Sequence, residues 1–366
     1  MITQYQPRSL HTHLAYGRPW DLDRKRGGLT LLHPYQGHTG MRWYSGAADA
    51  VYQNKDFVHH HQAQEVLVLA GDQVYIMDLN PLIAQHHQAR ADATVASVMV
   101  NREMAQRCTT ITVDQAGWIT ALTPPRHTRH QPEHPHASSA LAVMGVILFS
   151  TAALNWRINE DQADSSSTHS LIGDLIPRMI RSGDRVLAYQ HTDYWNPVYT
   201  IRDYWQAEMA LLNERPSLNL QDEGWPIHTR TQARPPTRVE MGARVSHSLL
   251  SGGCIIEGTV EYSILSPGVY VGPGAIVRGA IVMQNSTIEE CARVQNAILD
   301  MQVTVGQQAQ VGVARRLAPT TGPKTLPPIT VVDKGAHIHT GAIVEPHHHQ
   351  DRLLVHTPQP ENANNR

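Results

Sequence analysis

From Ile276 onward, aliphatic residues return at six-residue steps: Ile276, Val282, Ile288 and Val294, then Val305 and Val311, then Val332, Ile338 and Val344. A six-residue apolar period with interspersed glycines gives one short strand and one turn per repeat, so the spacing predicts a parallel β-helix. Each repeat can bury its apolar residue only by stacking on its neighbours. Residues 243–349 are therefore expected to form one stacked domain suited to packing or assembly. Ala314 to Pro328, rich in Pro and Thr, should leave it as a loop, and the polar tail 350–366 should be mobile.

Residues 1–228 have a different texture. Short apolar runs alternate with helix-like stretches, the pattern of an α/β domain with a largely parallel sheet. Strands are expected at Val66–Ala70, Thr94–Val100, Thr110–Val113 and Leu141–Phe149. Pro81 to Ala91 is expected as a helix with Asn80 as N-cap. A second helix should run from about Thr200 to Leu212, its Tyr204-Trp205 pair serving as core. Thr123 to Ser139 and Asp161 to Ser167 are expected as loops, and 229–242, with Pro235-Pro236 and several arginines, as a linker.

Formal charge is -2 with a pI near 6.9, which does not mark a binder of nucleic acid or of an anionic membrane. No apolar run approaches the ~20 residues of a membrane span, and Met1 to Gln6 has no signal-peptide pattern, so a cytoplasmic protein is expected. Cys108, Cys254 and Cys291 are odd in number and far apart, which fits reduced thiols. Of the 23 histidines, three clusters stand out: His59 to His61, His86-His87 and His347 to His349. Consecutive side chains diverge, whereas a metal needs converging ligands, so these clusters are expected on a solvated surface.

Two neighbouring stretches carry chemistry. Val66 to Ala70 ends in Gly71-Asp72, placing an acid just past the carboxyl end of a strand, where open α/β sheets bind ligands and metals. Ahead of it, the small-residue turn Gly46-Ala-Ala-Asp49 leads into a helix, a way to bring backbone N–H groups close to a phosphate. Together they suggest a nucleotide site. The alternative is an ordinary α/β core with no ligand.

Several longer motifs then match in order: Ile2-Thr-Gln-Tyr-Gln6, Trp43 to Asn54, Leu69-Ala-Gly-Asp72 with Tyr75 and Asp78, Asp174-Leu-Ile-Pro177, Tyr194-Trp195, Tyr204-Trp205, Trp225-Pro-Ile227 and Ser251-Gly-Gly-Cys254. In these the chain resembles the glucose-1-phosphate adenylyltransferases along nearly its whole length. The resemblance implies a Rossmann-like nucleotidyltransferase domain followed by a left-handed parallel β-helix. It implies ATP and glucose 1-phosphate as family substrates, Mg²⁺ as cofactor, ADP-glucose and pyrophosphate as products, and a homo- or hetero-oligomer in glycogen or starch synthesis. It assigns Tyr44, Gly46, Ala48 and Asp49 to nucleotide binding and Asp72 to the metal.

The departures from the family pattern are also specific. Family members carry a strand and a Gly-rich loop with an Arg ahead of the first matching motif, so the nucleotidyltransferase domain is expected to be incomplete at its N-terminus. The family's Glu-Lys-Pro is here Thr123-Pro124-Pro125. A Gly of its sugar site is Thr109, a Ser is Val143, and a Lys is Gly173. The Trp-Arg-Asp-Val-Gly-Thr motif is Trp195-Asn-Pro-Val-Tyr-Thr200, so the second metal-binding Asp is Pro197 and a Gly is Tyr199. These changes remove the lysines, one of two acids, and the small residues that admit the sugar. They imply a non-catalytic regulatory or assembly subunit beside an active paralogue. The alternatives are an active adenylyltransferase with a mis-assigned start and, from the β-helix alone, a hexapeptide-repeat acyltransferase.

Overall fold

A computed structural model describes residues 1–5, 7–24, 27–34, 43–125, 139–313 and 327–346, and the backbone of 36–37 and 40–41. Most of the loop expected over Thr123–Ser139, most of that over Ala314–Pro328, the His347–His349 cluster and the tail from 350 lie outside the described residues. The chain divides into two compact units, Met1–Trp195 with His228–Arg230, and Asn196–Ile227 with Thr231–Arg366.

The first unit opens with α1 (Arg8–Leu14), a short antiparallel pair β1 (Gln36–Gly37) and β2 (Gly40–Met41), and helices α2 (Ala47–Gln53) and α3 (Lys55–His60). Then come β3 (Glu65–Leu69), β4 (Gln73–Tyr75), α4 (Asn80–Ala89), β5 (Ala93–Asn101), α5 (Arg102–Ala105), β6 (Thr110–Val113), β7 (Ile119–Thr123), β8 (Ser139–Ser150), α6 (Thr151–Ala163), α7 (Ile176–Arg181) and β9 (Val186–His191). The sheet order is β7-β6-β8-β5-β9, with β3 joined to β8. All four expected strands are present.

Their direction differs from expectation. Only β5 and β9 run parallel; β3, β5 and β6 are antiparallel to β8, and β6 to β7. The β6–β7 hairpin reverses the chain, and β8 keeps the reversed direction, so it lies antiparallel to β3, β5 and β6. Both faces are covered. Val95, Ile147 and Phe149 pack beneath Leu154, Ile158, Leu175 and Met179 on one side. Leu82, Ala96, Met144 and Leu148 fill the other. A strand buried on both faces needs continuous aliphatic side chains, which is why β5 and β8 are legible as apolar runs.

Helix boundaries moved by small amounts. α4 starts at Asn80, one residue earlier than expected, with Leu79 at the N-cap position. Asp78 accepts the Asn80 N–H at 2.9 Å and takes over the capping role. The chain leaves the helix through Arg90 at φ 48°. α6 occupies residues up to Ala163, so the loop expected from Asp161 starts later; Ser150 caps the helix by accepting the Ala153 N–H.

His86 corrects the expectation that the histidine clusters are solvated. Its ring is buried and hydrogen-bonded through Nδ1 to Thr94 Oγ1 at 2.7 Å, with Glu65 4.0 Å from Nε2. The expectation fails because Thr94 reaches it from a neighbouring strand, which sequence clustering cannot show. Burial pushes the His86 pKa below 6.5, against the pull of Glu65. The native ring stays neutral while the unfolded chain takes up a proton near pH 6.5, so stability from this site is full above that pH and falls below it. Urea midpoints at pH 7.5 and 5.5 should therefore differ more for the wild type than for His86→Gln.

In the second unit, α8 (Ile201–Ala210) precedes three ladders of short parallel strands, of six, six and five strands, forming a β-helix. Thr200 and Asp203 close a capping box at the start of α8. Tyr204, Trp205 and Met209 pack on Ile281, Ile298 and Ile329, and the Trp205 indole donates to Gly279 O at 3.0 Å. The aromatic pair is core, as expected. The first coil begins at Arg238–Val239, inside the stretch expected as linker.

Val271, Ile288 and Val305 stack in one column, with Ile338 above them. Val282, Val294 and Val311 are likewise fully buried. Ile276 is an exception to the expected period. Val277 is the inward residue at that strand, because one step per coil is five residues and the strict six-residue count slips there. The corners need left-handed backbone: Gly268, Asn285, Gln302 and Gly335 hold positive φ at successive levels of one corner. Cys108, Cys254 and Cys291 are all free thiols. Among the described residues, no helix is long and apolar enough to cross a membrane.

Candidate functional site

β8 is twelve residues long, and its two edges are used differently. One edge pairs along β5; the other pairs first with β6, at Leu141 and Ala142, and then with β3, from Val146 to Ser150. A notch therefore opens in the sheet at Val143–Gly145. Thr109 flanks it on the β6 side, its carbonyl accepting the Val143 N–H at 2.9 Å. Ala70, Gly71 and Asp72 flank it on the β3 side, where Ala70 N–H donates to Gly145 O at 2.9 Å. Thr109 and Val143, far apart in sequence, are hydrogen-bonded here, and Asp72 follows Ala70 and Gly71 on the β3 side. Among the described residues, no strand pairs with the other edge of β3.

Gly145 and Gln73 shape this notch, and neither is identifiable as a site residue from the sequence. Gly145 sits at φ 70°, and a Cβ there would lie 2.5 Å from Gln73 Nε2 and 2.8 Å from Ala70 Cβ. Gln73 in turn accepts the Trp195 indole N–H. The bend that carries Asp72 is thus clamped from both sides. Burial lifts the Asp72 carboxyl above the usual carboxylate range, its own backbone N–H pulling the other way.

Tyr44, Gly46, Ala48 and Asp49 form a second feature, the turn into α2. Tyr44 is buried; its backbone N–H donates to Gln4 Oε1 at 3.0 Å and its hydroxyl accepts from Asn54 at 3.0 Å. The early motif at Ile2 to Gln6 therefore supports this turn directly. Asp49 is buried too, and its carboxylate accepts the Ser45 N–H and the Gln53 amide, both at 2.9 Å. Gly46 is required by space: a Cβ would meet the His169 carbonyl oxygen at 2.3 Å, and Ala48 N–H donates to the same oxygen at 2.8 Å. Side chains at 44, 48 and 49 thus build the turn from inside.

The remaining departures are also in place. Gly173 lies in a π-helical turn, Leu171–Leu175, where its N–H donates to Ser170. Pro125 follows β7, and Pro197, in the second unit, is buried. Among the described residues, no group of three His, Cys, Asp or Glu could hold a metal ion. A Mg²⁺ ion commonly rests on one or two carboxylates plus substrate phosphates, so Asp72 fits the ion only with a nucleotide present.

A family model described as nucleotidyl transferase matches residues 1–214, and one described as GlmU-like, C-terminal hexapeptide, matches 236–319. The chain is 42% identical over 314 residues to a glucose-1-phosphate adenylyltransferase of Thermomicrobium roseum, covering 85% of this chain and 71% of that protein. It belongs to the glucose-1-phosphate adenylyltransferase family. Enzymes of the same name from Clostridium perfringens (38% over 289 residues; 79% and 72% of the two chains) and Desulforamulus reducens (34% over 345 residues; 94% and 84%) agree. The family's two parts, a nucleotidyltransferase domain and a hexapeptide region, correspond to the sheet and the β-helix described above.

Proposed function

We propose that this chain is a non-catalytic regulatory or assembly subunit of ADP-glucose synthesis, binding a nucleotide at the Tyr44–Asp49 turn and the Asp72 bend. It acts in the cytoplasm, in an oligomer with an active paralogue, toward glycogen or starch. The observation that carries this reading is charge. Attack of a sugar phosphate on a nucleotide phosphate needs cations and metal to offset the charge that gathers in the transition state. Before residue 228 the chain has only two lysines, Lys25 and Lys55, its other cations being sixteen arginines, and neither lysine falls in the family's sugar-phosphate motif. Lys55 lies over the Tyr52 ring and reaches Asn159. Pro124-Pro125 and Pro197 stand where the family has its lysine motif and second acid. With a nucleotide bound, Mg²⁺ on Asp72 would screen the phosphates.

The second reading is an active glucose-1-phosphate adenylyltransferase converting ATP and glucose 1-phosphate to ADP-glucose and pyrophosphate. The desolvated Asp72 and the 42% identity to an enzyme of that name favour it. Pyrophosphate release decides between them, measured with the protein alone and mixed with an active family member. The first reading expects no turnover alone and a changed rate or effector response in the mixture. Turnover by the isolated protein of about 1 s⁻¹ or more, within the ordinary enzyme range, establishes the second.

A further inference from the structure

His169 stands outside every motif that the sequence singled out, yet its carbonyl touches the candidate nucleotide turn directly. Its backbone is left-handed, at φ 58°, a conformation that non-glycine residues rarely hold without compensation. The compensation is visible. Its Nδ1 pairs with Asp161 Oδ2 at 2.7 Å, and its backbone N–H donates to Ser167 Oγ at 3.0 Å. Ser167 donates its own hydroxyl to Asp161 Oδ1 at 2.6 Å, so one carboxylate holds both. Asp161 is itself buried in α6. On either side, Thr168 Oγ1 and Ser170 N–H donate to Asp174, fixing the flanking residues.

This arrangement turns the His169 carbonyl toward α2, where it accepts the Ala48 N–H and occupies the space that a side chain at Gly46 would need. We infer that His169 is a positioning residue: anchored by Asp161 and Ser167, it presents its carbonyl as the template that sets the Gly46–Asp49 turn in its ligand-ready shape. The inference rests on the proposal that this turn meets a nucleotide. His169 acts on the turn at Ala48 and Gly46, through its backbone carbonyl, so truncating its side chain loosens the turn while the residues assigned to the nucleotide stay in place. An ordinary packing role would weaken the whole sheet. A positioning role loosens one turn.

The test compares the wild type with His169→Ala and His169→Asn. Asparagine tolerates left-handed backbone and keeps a side-chain N–H for Asp161, whereas alanine keeps neither advantage. Amide hydrogen exchange at Ala48 is measured alongside that of the sheet residues Val95 and Ile147, together with binding of ATP in the presence of Mg²⁺. The expected result for His169→Ala is roughly tenfold faster exchange at Ala48 and roughly tenfold weaker ATP binding, with the sheet amides unchanged. His169→Asn should recover most of both. Unchanged protection at Ala48 in His169→Ala, or equal loss of protection at Val95 and Ile147, overturns the inference. If the wild type binds no ATP, the nucleotide reading fails on its own, and the exchange comparison still decides whether His169 sets the turn.

Discussion

Gly145→Ala should lower the stability of the first unit by about 2–6 kcal/mol, combining the roughly 1–3 kcal/mol of a left-handed non-glycine residue with a similar amount for overpacking. At φ 70° the new methyl group would have to displace both the Gln73 amide and the Ala70 Cβ. Ala70 cannot retreat easily, because its N–H is bonded to the Gly145 carbonyl and β3 continues from it along β8. Gln73 can, but only by releasing the Trp195 indole. Urea unfolding followed by tryptophan fluorescence would report both effects, as a lower midpoint and as a shifted native spectrum. A midpoint equal to that of the wild type would mean that the notch is softer than its geometry implies.

The second large effect is expected in the β-helix. Ile288→Asp places a carboxylate where the side chain has no solvent exposure and where Val271 and Val305 lie directly below and above it. A charge without a partner in such a column costs several kcal/mol at least. It cannot be relieved by a shift along the strand, because a one-residue slip would turn every side chain of that strand to the other face. The parallel coils depend on their neighbours, so the damage should spread to adjacent levels. Loss of the β-sheet circular dichroism signal and rapid proteolysis between residues 255 and 311 are the expected readouts. Ile288→Val, which keeps the shape, should lose only about 0.5–1.5 kcal/mol.

These two sites also show what a sequence reveals and what it hides. The β-helix was legible because its inward residues repeat, and a repeat is visible without knowing what each copy touches. Even so, the count failed at Ile276, where a five-residue step moves burial to Val277. In the sheet, the strands were legible from their aliphatic runs, but strand direction is set by how the chain returns, and the β6–β7 hairpin made the sheet mostly antiparallel. α6 was partly concealed because only Leu154 and Ile158 are large apolar side chains fully buried along it, while its third buried residue, Asp161, is a charged group held by Ser167 and His169. The motifs around Tyr44 and Asp72 identified the family and the two halves of a candidate site. Gly145, Gln73 and His169 were not identifiable, because each acts through a contact with a distant segment. A glycine inside a strand signals close approach only once the neighbour is known.

The β-helix also separates chain length from register. Gln310–Val311 and Thr330–Val332 are successive strands of the coil, and Thr330–Val332 pairs with Ala297–Leu299 as the next level requires. Ile338 then takes its place above Val305 as though nothing had intervened. A corner of this kind acts as a port in the scaffold: peptide can be added there without re-indexing any residue that follows. A reporter or a new binding segment grafted between Val311 and Thr330 should leave the pairing of the later strands unchanged.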